Sequence, residues 1–255
     1  MAGKNQFMSK VFYTFVLLIT FSTGNAQVTK TENPGFALVE LFTSQGCSSC
    51  PSAEKVLSEV VGDAAKNNKP VYVLSYHVDY WNKYGWKDPY SSMRFTRRQS
   101  NYVSATASDE VYTPQVYVNG NEGFVGSDSK RLNIEIEKGI KTLPKQTLQI
   151  TKSNVTAVDT LVLNYTVTKS DANYNLVVAV VEKSVTTKVG KGENIGKTLT
   201  QDNIVRLFDV YPLDSIKGTV KLAKNKLTLN NNFSLIAFVQ QKQNKKVLSA
   251  TSLNF

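Results

Sequence analysis

The stretch LFTSQGCSSCPSAEKV, residues 41–56, contains both cysteines of a chain of 255 residues, Cys47 and Cys50. A disulfide between them would close a very short loop and remove little entropy from the unfolded chain, so stabilising the fold is a poor explanation for the pair. A zinc site would need four ligands, and the chain can add only His77 and carboxylates to the two sulfurs. The spacing leaves two hypotheses: a redox-active pair, or half of a metal site.

The segments on either side give the pair a geometry. A strand-like stretch, GFALVELF at 35–42, precedes the cysteines, and a helix-like stretch, CSSCPSAEKVLSEVVGDAAK at 47–66, follows. Pro51 suits the first turn of a helix, where no N–H is needed. Cys47 would then lie at the positive end of the helix dipole, which stabilises a thiolate. We therefore predict that Cys47 is the nucleophile and that Cys50, more buried, resolves the mixed disulfide.

The organisation of the chain changes near Pro144. Before it, strand-like and helix-like segments alternate in the order βαβαββα, and after it strand follows strand between polar turns. The predicted fold is an α/β domain over residues 27–144 followed by an all-β, sandwich-like domain over residues 145–255.

The first 26 residues have the pattern of a secretory signal peptide. Residues 1–10 carry two lysines and no acid, residues 11–21 are an apolar run, and Gly24-Asn25-Ala26 offers small residues for cleavage. The run is too short to span a bilayer comfortably, so we expect no stable membrane insertion after cleavage. The mature protein is expected to be secreted, in the periplasm, where a cysteine pair can be oxidised.

The formal net charge of +10 is spread thinly along the chain. Its lysines are scattered over predicted strands and turns, and no compact stripe of Lys and Arg alternates with stacking aromatic residues. Such a distribution argues against nucleic-acid binding.

The first half resembles the thioredoxin fold, with CSSC at 47–50 as the redox motif and YTPQV at 112–116 as the cis-proline segment. This resemblance implies that Pro114 follows a cis peptide bond facing the nucleophile, and that the backbone at Thr113 pairs with a substrate chain. It also suggests Glu40 as the buried acid that moves the proton of the resolving thiol. One extra residue before Cys47 would, however, turn the Glu40 side chain to the other face of its strand.

The whole chain resembles a secreted family known as domain of unknown function 1223. Three blocks carry this likeness: VELFTSQGCSSCPSAEKVL (39–57), HVDYWNKYGWKDPYS (77–91) with VYTPQVYVNG (111–120), and GENIGKTLTQDNIVR (192–206). The family has no assigned function, so the resemblance implies a fold more than an activity.

Strand topology predicts which residues meet. A right-handed crossover makes the first two strands parallel, so Cys47 and His77 follow strands that end at one sheet edge, and an antiparallel third strand would bring Thr113 and Pro114 to that edge. We expect Trp81 and Trp86, in the loop after the second strand, to wall the site as a substrate-binding surface. Packing onto the sheet is the alternative explanation for both rings.

His77 is the only histidine of the chain. It could hold a proton near the thiol or complete a metal site with both sulfurs, and Asp79 could orient its ring. Alternatively, His77 is a strand-end residue that hydrogen-bonds to the backbone.

The favoured hypothesis is a thiol–disulfide oxidoreductase acting on protein or small-thiol disulfides, with no metal and no cofactor beyond Cys47 and Cys50. The two sulfurs would serve an oxidase, a reductase or an isomerase equally. Two other classes fit the same residues: a protein that binds or delivers Cu(I) through two thiolates and His77, and a binding module that keeps the pair as an inert disulfide.

Overall fold

The computed structural model describes residues 1–3, 35–106, 110–155 and 157–255. The predicted signal peptide at 1–26 therefore lies outside the described residues, apart from its first three. Residues 32–255 form one compact unit. This unit is mixed α/β, with one large sheet and few helices. Within the described ranges, no helix is long and apolar enough to cross a membrane.

The elements of the first half follow the predicted order, with an added 3-10 helix. They are β1 Ala37–Thr43, α1 Cys50–Asn67, β2 Val71–His77, the 3-10 helix Tyr80–Tyr84, α2 Met93–Ala105, β3 Gln115–Val118, β4 Phe124–Val125 and α3 Ser129–Lys141. Helix α2 begins at Met93, since Ser92 is its N-cap and accepts a hydrogen bond from Arg94 N.

The second half consists of strands, as predicted. They are β5 Leu148–Lys152, β6 Thr160–Val167, β7 Tyr174–Lys188, β8 Thr198–Pro212, β9 Lys217–Ala223, β10 Phe233–Gln241 and β11 Val247–Asn254.

Strand β1 lies at the centre of the first half and is buried along its whole length. It pairs in parallel with β2, with Thr43 opposite His77, and antiparallel with β3, with Phe42 opposite Gln115. The predicted directions of all three strands are thus confirmed. The ends of β1 and β2 and the start of β3 meet at one edge of the sheet, directly before the cysteines.

Side chains of β1 alternate between two cores, as the pleat requires. Ala37, Val39 and Leu41 pack with apolar residues of α1 and α3. Leu38 and Phe42 face the opposite side, where they pack with aromatic residues of α2. The parity of a β1 residue therefore decides which helices it meets.

The two halves share a sheet. Its eight strands have the order β11-β10-β7-β8-β2-β1-β3-β4, and β8 pairs in parallel with β2 at Ser75 and Ile204. A second sheet has three strands in the order β5-β6-β9. Its buried side chains form a second core together with side chains of β7 and β10. The architecture changes near Pro144, but one core contains side chains of β1 and β2 together with side chains of β7, β8 and β10. Independent folding of 27–144 stays a prediction.

Strands β7 and β8 have 15 residues each. Their pairing continues from Asn175 opposite Pro212 to Lys188 opposite Thr198. A loop, residues 189–197, connects them. We call it the β7–β8 loop, and it contacts the cysteine segment directly.

Candidate functional site

Cys47 and Cys50 form a disulfide at the start of α1. Both residues are fully buried, at 0% exposure. The prediction that Cys50 is more buried than Cys47 therefore does not hold in the disulfide form. Cys47 Sγ lies 3.3 Å from Ser49 Oγ and 3.9 Å from the carbonyl oxygen of Thr113. Ser48 and Ser49 are exposed. Solvent therefore reaches the segment between the cysteines but not the cysteines themselves.

Thr113 and Pro114 lie beside the disulfide, where strand topology placed them. The Thr113–Pro114 peptide bond is cis, as the thioredoxin resemblance implied. Trp81 Nε1 donates a 2.6 Å hydrogen bond to Thr113 Oγ1, and a Cβ on Gly46 would lie 3.5 Å from Trp81 Cβ. Trp81 thus links the cis-proline segment to the residue before Cys47, while its role in substrate binding stays a prediction.

Trp86 occupies a different position from Trp81. Its Nε1 donates a 3.1 Å hydrogen bond to Gln45 Oε1, and its ring and Cβ pack on Gly190 and Gly192, where added Cβ atoms would lie 3.1 Å and 3.2 Å from Trp86 atoms. Gly192 also has a positive φ of 78°. The packing alternative describes Trp86 well, because its half-buried ring joins the β7–β8 loop to the cysteine segment.

His77 belongs to a buried group of polar side chains next to the disulfide. Its Nδ1 lies 2.7 Å from Asp88 Oδ2, and both side chains are fully buried. Asp88 Oδ2 also accepts a 2.8 Å hydrogen bond from Gln45 N. On α1, Glu54 Oε1 accepts a 2.5 Å hydrogen bond from Thr43 Oγ1. We call the group the His77 cluster; its members are Thr43, Gln45, Glu54, His77, Asp88 and Gln201.

Not every polar atom of the His77 cluster is paired. Gln45 Nε2 donates a 2.7 Å hydrogen bond to Gln201 Oε1. Gln201 Nε2 lies beside the Glu54 carboxyl without a well-formed hydrogen bond, and within the described residues His77 Nε2 has no hydrogen-bond partner. Such atoms are rare in protein interiors and often mark a functional site or a bound water.

The charges of the His77 cluster follow from its burial. Burial raises the pKa of Glu54 above its ordinary 4.5, although His77 and Thr43 oppose the change. Burial acts to lower the pKa of His77, but Asp88 and Glu54 outweigh it and raise that pKa above 6.5. Burial acts to raise the pKa of Asp88, and His77 with backbone N–H groups outweighs it, so the pKa falls below 3.8. These directions favour an ion pair of His77 with Asp88, and burial shifts Glu54 toward its protonated form.

Two predicted site residues lie elsewhere in the protein. Asp79 does not orient His77: its Oδ1 accepts a 2.6 Å hydrogen bond from Thr96 Oγ1, at the start of the 3-10 helix. Asp88 contacts the ring instead. Both acids lie in the loop after β2, and the sequence contains no signal that chooses between them.

Glu40 also has a different environment from the predicted one. It lies on the α2 face of β1, where Arg98 Nε and Nη2 donate to Oε1 at 3.0 Å and 2.5 Å, and Tyr102 OH donates to Oε2. Gln240 Nε2 donates to Tyr102 OH at 2.7 Å. We call Glu40, Arg98, Tyr102 and Gln240 the Arg98 cluster. Residue parity on β1 explains the difference, since the even-numbered side chains face α2 while Thr43 reaches Glu54.

Sequence reasoning missed Glu54. This residue lies four positions after Cys50 on α1, and residues i and i+4 share a helix face. Both are buried. The spacing was visible in the sequence and could have identified Glu54 as an acid on the same helix face as the resolving cysteine.

The β7–β8 loop was also missed as part of the site. Glu193 Oε2 accepts a 2.9 Å hydrogen bond from Ser48 N. Asn194 Nδ2 donates to the carbonyl oxygens of Gln45 and Cys47 at 2.9 Å and 2.8 Å. The block GENIGKTLTQDNIVR, which carried the family resemblance, was the available signal.

A metal site with Cys47, Cys50 and His77 is not assembled. In the part of the chain that the structure describes, no group of three or more His, Cys, Asp or Glu side chains could hold a metal ion. The sulfurs are joined to each other, and His77 Nδ1 faces Asp88.

The chain is similar over most of its length to a solved structure. A crystal structure of an Agrobacterium tumefaciens protein, solved as a structural-genomics target, is 25% identical and has a TM-score of 0.64. The match covers 87% of this chain and 95% of that one. β-Glucosidase 3B from Thermotoga neapolitana, in complex with glycerol, is 11% identical with a TM-score of 0.20 over 79% of this chain and 33% of its own, and this likeness carries no argument.

No curated protein matches the sequence significantly. A family model does, over residues 38–240, which include the cysteine segment, the loop after β2 and the β7–β8 loop. The chain therefore belongs to the family described as protein of unknown function (DUF1223).

Proposed function

We propose that the protein is a thiol–disulfide oxidoreductase whose first half is thioredoxin-like and whose redox pair is Cys47–Cys50. The observation that carries the proposal is the disulfide at the start of α1, with the Glu54 carboxyl one helical turn behind Cys50. In a disulfide at a helix start, the sulfur that is attacked and the sulfur that leaves lie in different environments. The cis bond before Pro114 and the Thr113 carbonyl beside Cys47 support the thioredoxin-like assignment.

The proposed reaction exchanges one disulfide for another. A thiolate of a client dithiol attacks Cys47 Sγ, the Cys47–Cys50 bond breaks, and Cys50 leaves with the electron pair. Glu54, whose protonated form is favoured by burial, donates a proton to Cys50. The second client thiolate then attacks the client sulfur of the mixed disulfide and releases Cys47 as a thiolate. The client is oxidised by two electrons and the pair is reduced by two.

Trapping tests the roles of the two sulfurs. In the full chain, reduced Cys50→Ser protein should accumulate a mixed disulfide with a disulfide-bonded peptide, because the resolving sulfur is gone. Reduced Cys47→Ser protein should form none, although it retains one thiol. Equal trapping by both variants, or by neither, would contradict the proposal; non-reducing gels and intact mass give the readout.

Glu54→Gln tests the proton step. General acid–base groups typically contribute about 100-fold or more to rate, so exchange by Glu54→Gln should be slower by that order. Glu59→Gln is a matched control, because it removes an exposed acid from the same helix. Unchanged exchange in Glu54→Gln, with trapping intact, would remove Glu54 from the mechanism.

Complete burial of Cys47 and Cys50 favours a second candidate, a binding protein with an inert disulfide. Structural disulfides typically have reduction potentials below about −300 mV, whereas catalytic pairs lie between about −270 and −120 mV. A potential in the lower range, together with no trapping in Cys50→Ser, would select the inert disulfide.

The compartment is part of the same proposal. The pattern of residues 1–26 supports secretion to the periplasm, where the pair can cycle through the disulfide form. Mature protein should then begin at Gln27, and intact-mass analysis that finds Met1 retained would contradict it.

A further inference from the structure

The contact between the β7–β8 loop and the cysteine segment brings a negative charge to the redox pair. Glu193 Oε2 lies 2.9 Å from Ser48 N, the amide joined directly to Cys47. Asn194, fully buried, donates to the carbonyl oxygens of Gln45 and Cys47 and holds the loop in place. The carboxylate is thus positioned by a built contact between distant parts of the chain.

Glu193 is ionised at neutral pH. Hydrogen bonds from the side chain and backbone of Ser48 hold the pKa of its carboxyl below the ordinary 4.5. The β7–β8 loop also carries Lys191 and Lys197, and Lys197 Nζ donates a 2.9 Å hydrogen bond to Asn194 Oδ1.

Glu193 and a Cys47 thiolate would both be stabilised by the positive potential at the start of α1. The first N–H groups of a helix lack partners within the helix and favour nearby negative charge. In the disulfide form Cys47 carries no charge, so Glu193 meets no opposing anion. After reduction, a Cys47 thiolate would share this end of the helix with the carboxylate that Ser48 N binds, and repulsion between the two anions would stabilise the thiolate less.

We propose that Glu193 is a positioning residue that lowers the reduction potential of the Cys47–Cys50 pair and so favours its disulfide form. Reduction takes two electrons from a donor dithiol, which becomes a disulfide, and converts the Cys47–Cys50 bond into two sulfhydryl groups. When Cys47 ionises, one proton leaves to solvent. Glu193 opposes that ionisation. The biological meaning of this inference rests on the proposed function. It adds that the reduction potential of the pair is shifted toward the disulfide form.

Glu193→Gln provides the test because glutamine keeps an acceptor oxygen for Ser48 N and loses the charge. The full chain is equilibrated with mixtures of oxidised and reduced dithiothreitol at pH about 9, above the ordinary cysteine pKa of about 8.5, so that Cys47 ionises. Because the charge lies at an exposed helix end, its removal should raise the equilibrium constant for reduction of the disulfide by about two- to fivefold. At about 30 mV per tenfold, the potential becomes less negative by about 10–20 mV.

Two variants and a salt series sharpen the result. Glu59→Gln loses the same charge from the exposed face of α1 and should match the wild-type potential. Glu193→Asp keeps the charge and should remain closer to wild type than Glu193→Gln does. Because Glu193 is exposed, high salt should shrink the difference between wild type and Glu193→Gln. A wild-type potential in Glu193→Gln, a shift to more negative values, or an equal shift in Glu59→Gln would overturn the inference.

The equilibrium with dithiothreitol separates this inference from the proposed function. It measures the stability of the disulfide whether or not the protein exchanges disulfides with clients. Failed trapping by Cys50→Ser with a shifted Glu193→Gln potential would reject the function and retain the electrostatic role of Glu193. Successful trapping by Cys50→Ser with an unshifted Glu193→Gln potential would retain the function and reject the electrostatic role of Glu193.

Discussion

The His77 cluster and the Arg98 cluster are both buried groups of polar residues against the same central sheet, but they differ in how fully their members are paired. In the Arg98 cluster, Glu40 accepts hydrogen bonds from a guanidinium and a phenol, and Gln240 joins the group from β10. In the His77 cluster, His77 Nε2 has no partner among the described residues. A fully paired buried cluster rigidifies a fold, whereas an unpaired buried polar atom is costly and often marks a functional site or a bound water.

The largest effect is expected from removing the cation of the Arg98 cluster. Arg98→Met leaves the Glu40 carboxylate buried without its ion pair, and breaking a buried pair on one side costs about 3–5 kcal/mol of unfolding free energy. Arg94→Met, on the same helix, removes one half of an exposed pair with Asp209 and should cost less than about 1 kcal/mol. Urea unfolding of the full chain measures both; equal costs would show that the Arg98 cluster is no more important for stability than a surface ion pair.

A smaller effect should distinguish the glutamines of the two clusters. Gln240→Leu removes hydrogen bonds to Tyr102 OH and the Lys245 carbonyl, and two long ones accepted from Arg98, so we expect a loss of about 2–3 kcal/mol. Gln201→Leu removes one well-formed side-chain hydrogen bond, from Gln45, and should cost about 1 kcal/mol. If Gln201→Leu is the more destabilising variant, the His77 cluster is the better paired of the two and the comparison fails.

The smallest effect is expected in the pH dependence of stability. The pKa of Glu54 is raised in the folded protein. The contribution of Glu54 to the unfolding free energy is therefore fully present below its ordinary pKa of 4.5, and it is lost as pH rises through the folded pKa. The raised pKa of His77 acts in the same direction above 6.5. The unfolding free energy of wild type should therefore fall with rising pH in this range, with a slope of at most about 1.4 kcal/mol per pH unit for each proton.

Glu54→Gln should flatten the part of that slope that starts near pH 4.5, whereas Glu59→Gln should leave the slope unchanged. Urea midpoints between pH 5 and 8 provide the measurement. The same slope in wild type and Glu54→Gln would mean that Glu54 keeps its charge in the folded protein, and the proton step assigned to it would have to be abandoned.

Local pattern was sufficient for much of the first half. Short-range periodicity predicts the order of strands and helices and the start of α1 at Cys50. The handedness of a crossover then predicts that Cys47, His77 and Thr113 meet at one sheet edge. The stretch at 41–56 placed both cysteines between a buried strand and a helix, which is what made a redox pair the leading hypothesis.

The partners of the charged residues did not follow from local pattern. Whether Glu40 faces the disulfide or α2 depends on the parity of β1, which one inserted residue reverses. Asp79 and Asp88 lie in the same loop, and only the folded path of that loop brings Asp88 to His77. Glu193 and Asn194 are more than 140 residues from Cys47 along the chain. Their contact exists because β8 joins the sheet beside β2 and so brings the β7–β8 loop to the cysteines. Pairing between strands so distant in sequence depends on the burial of the whole core, which no short stretch encodes.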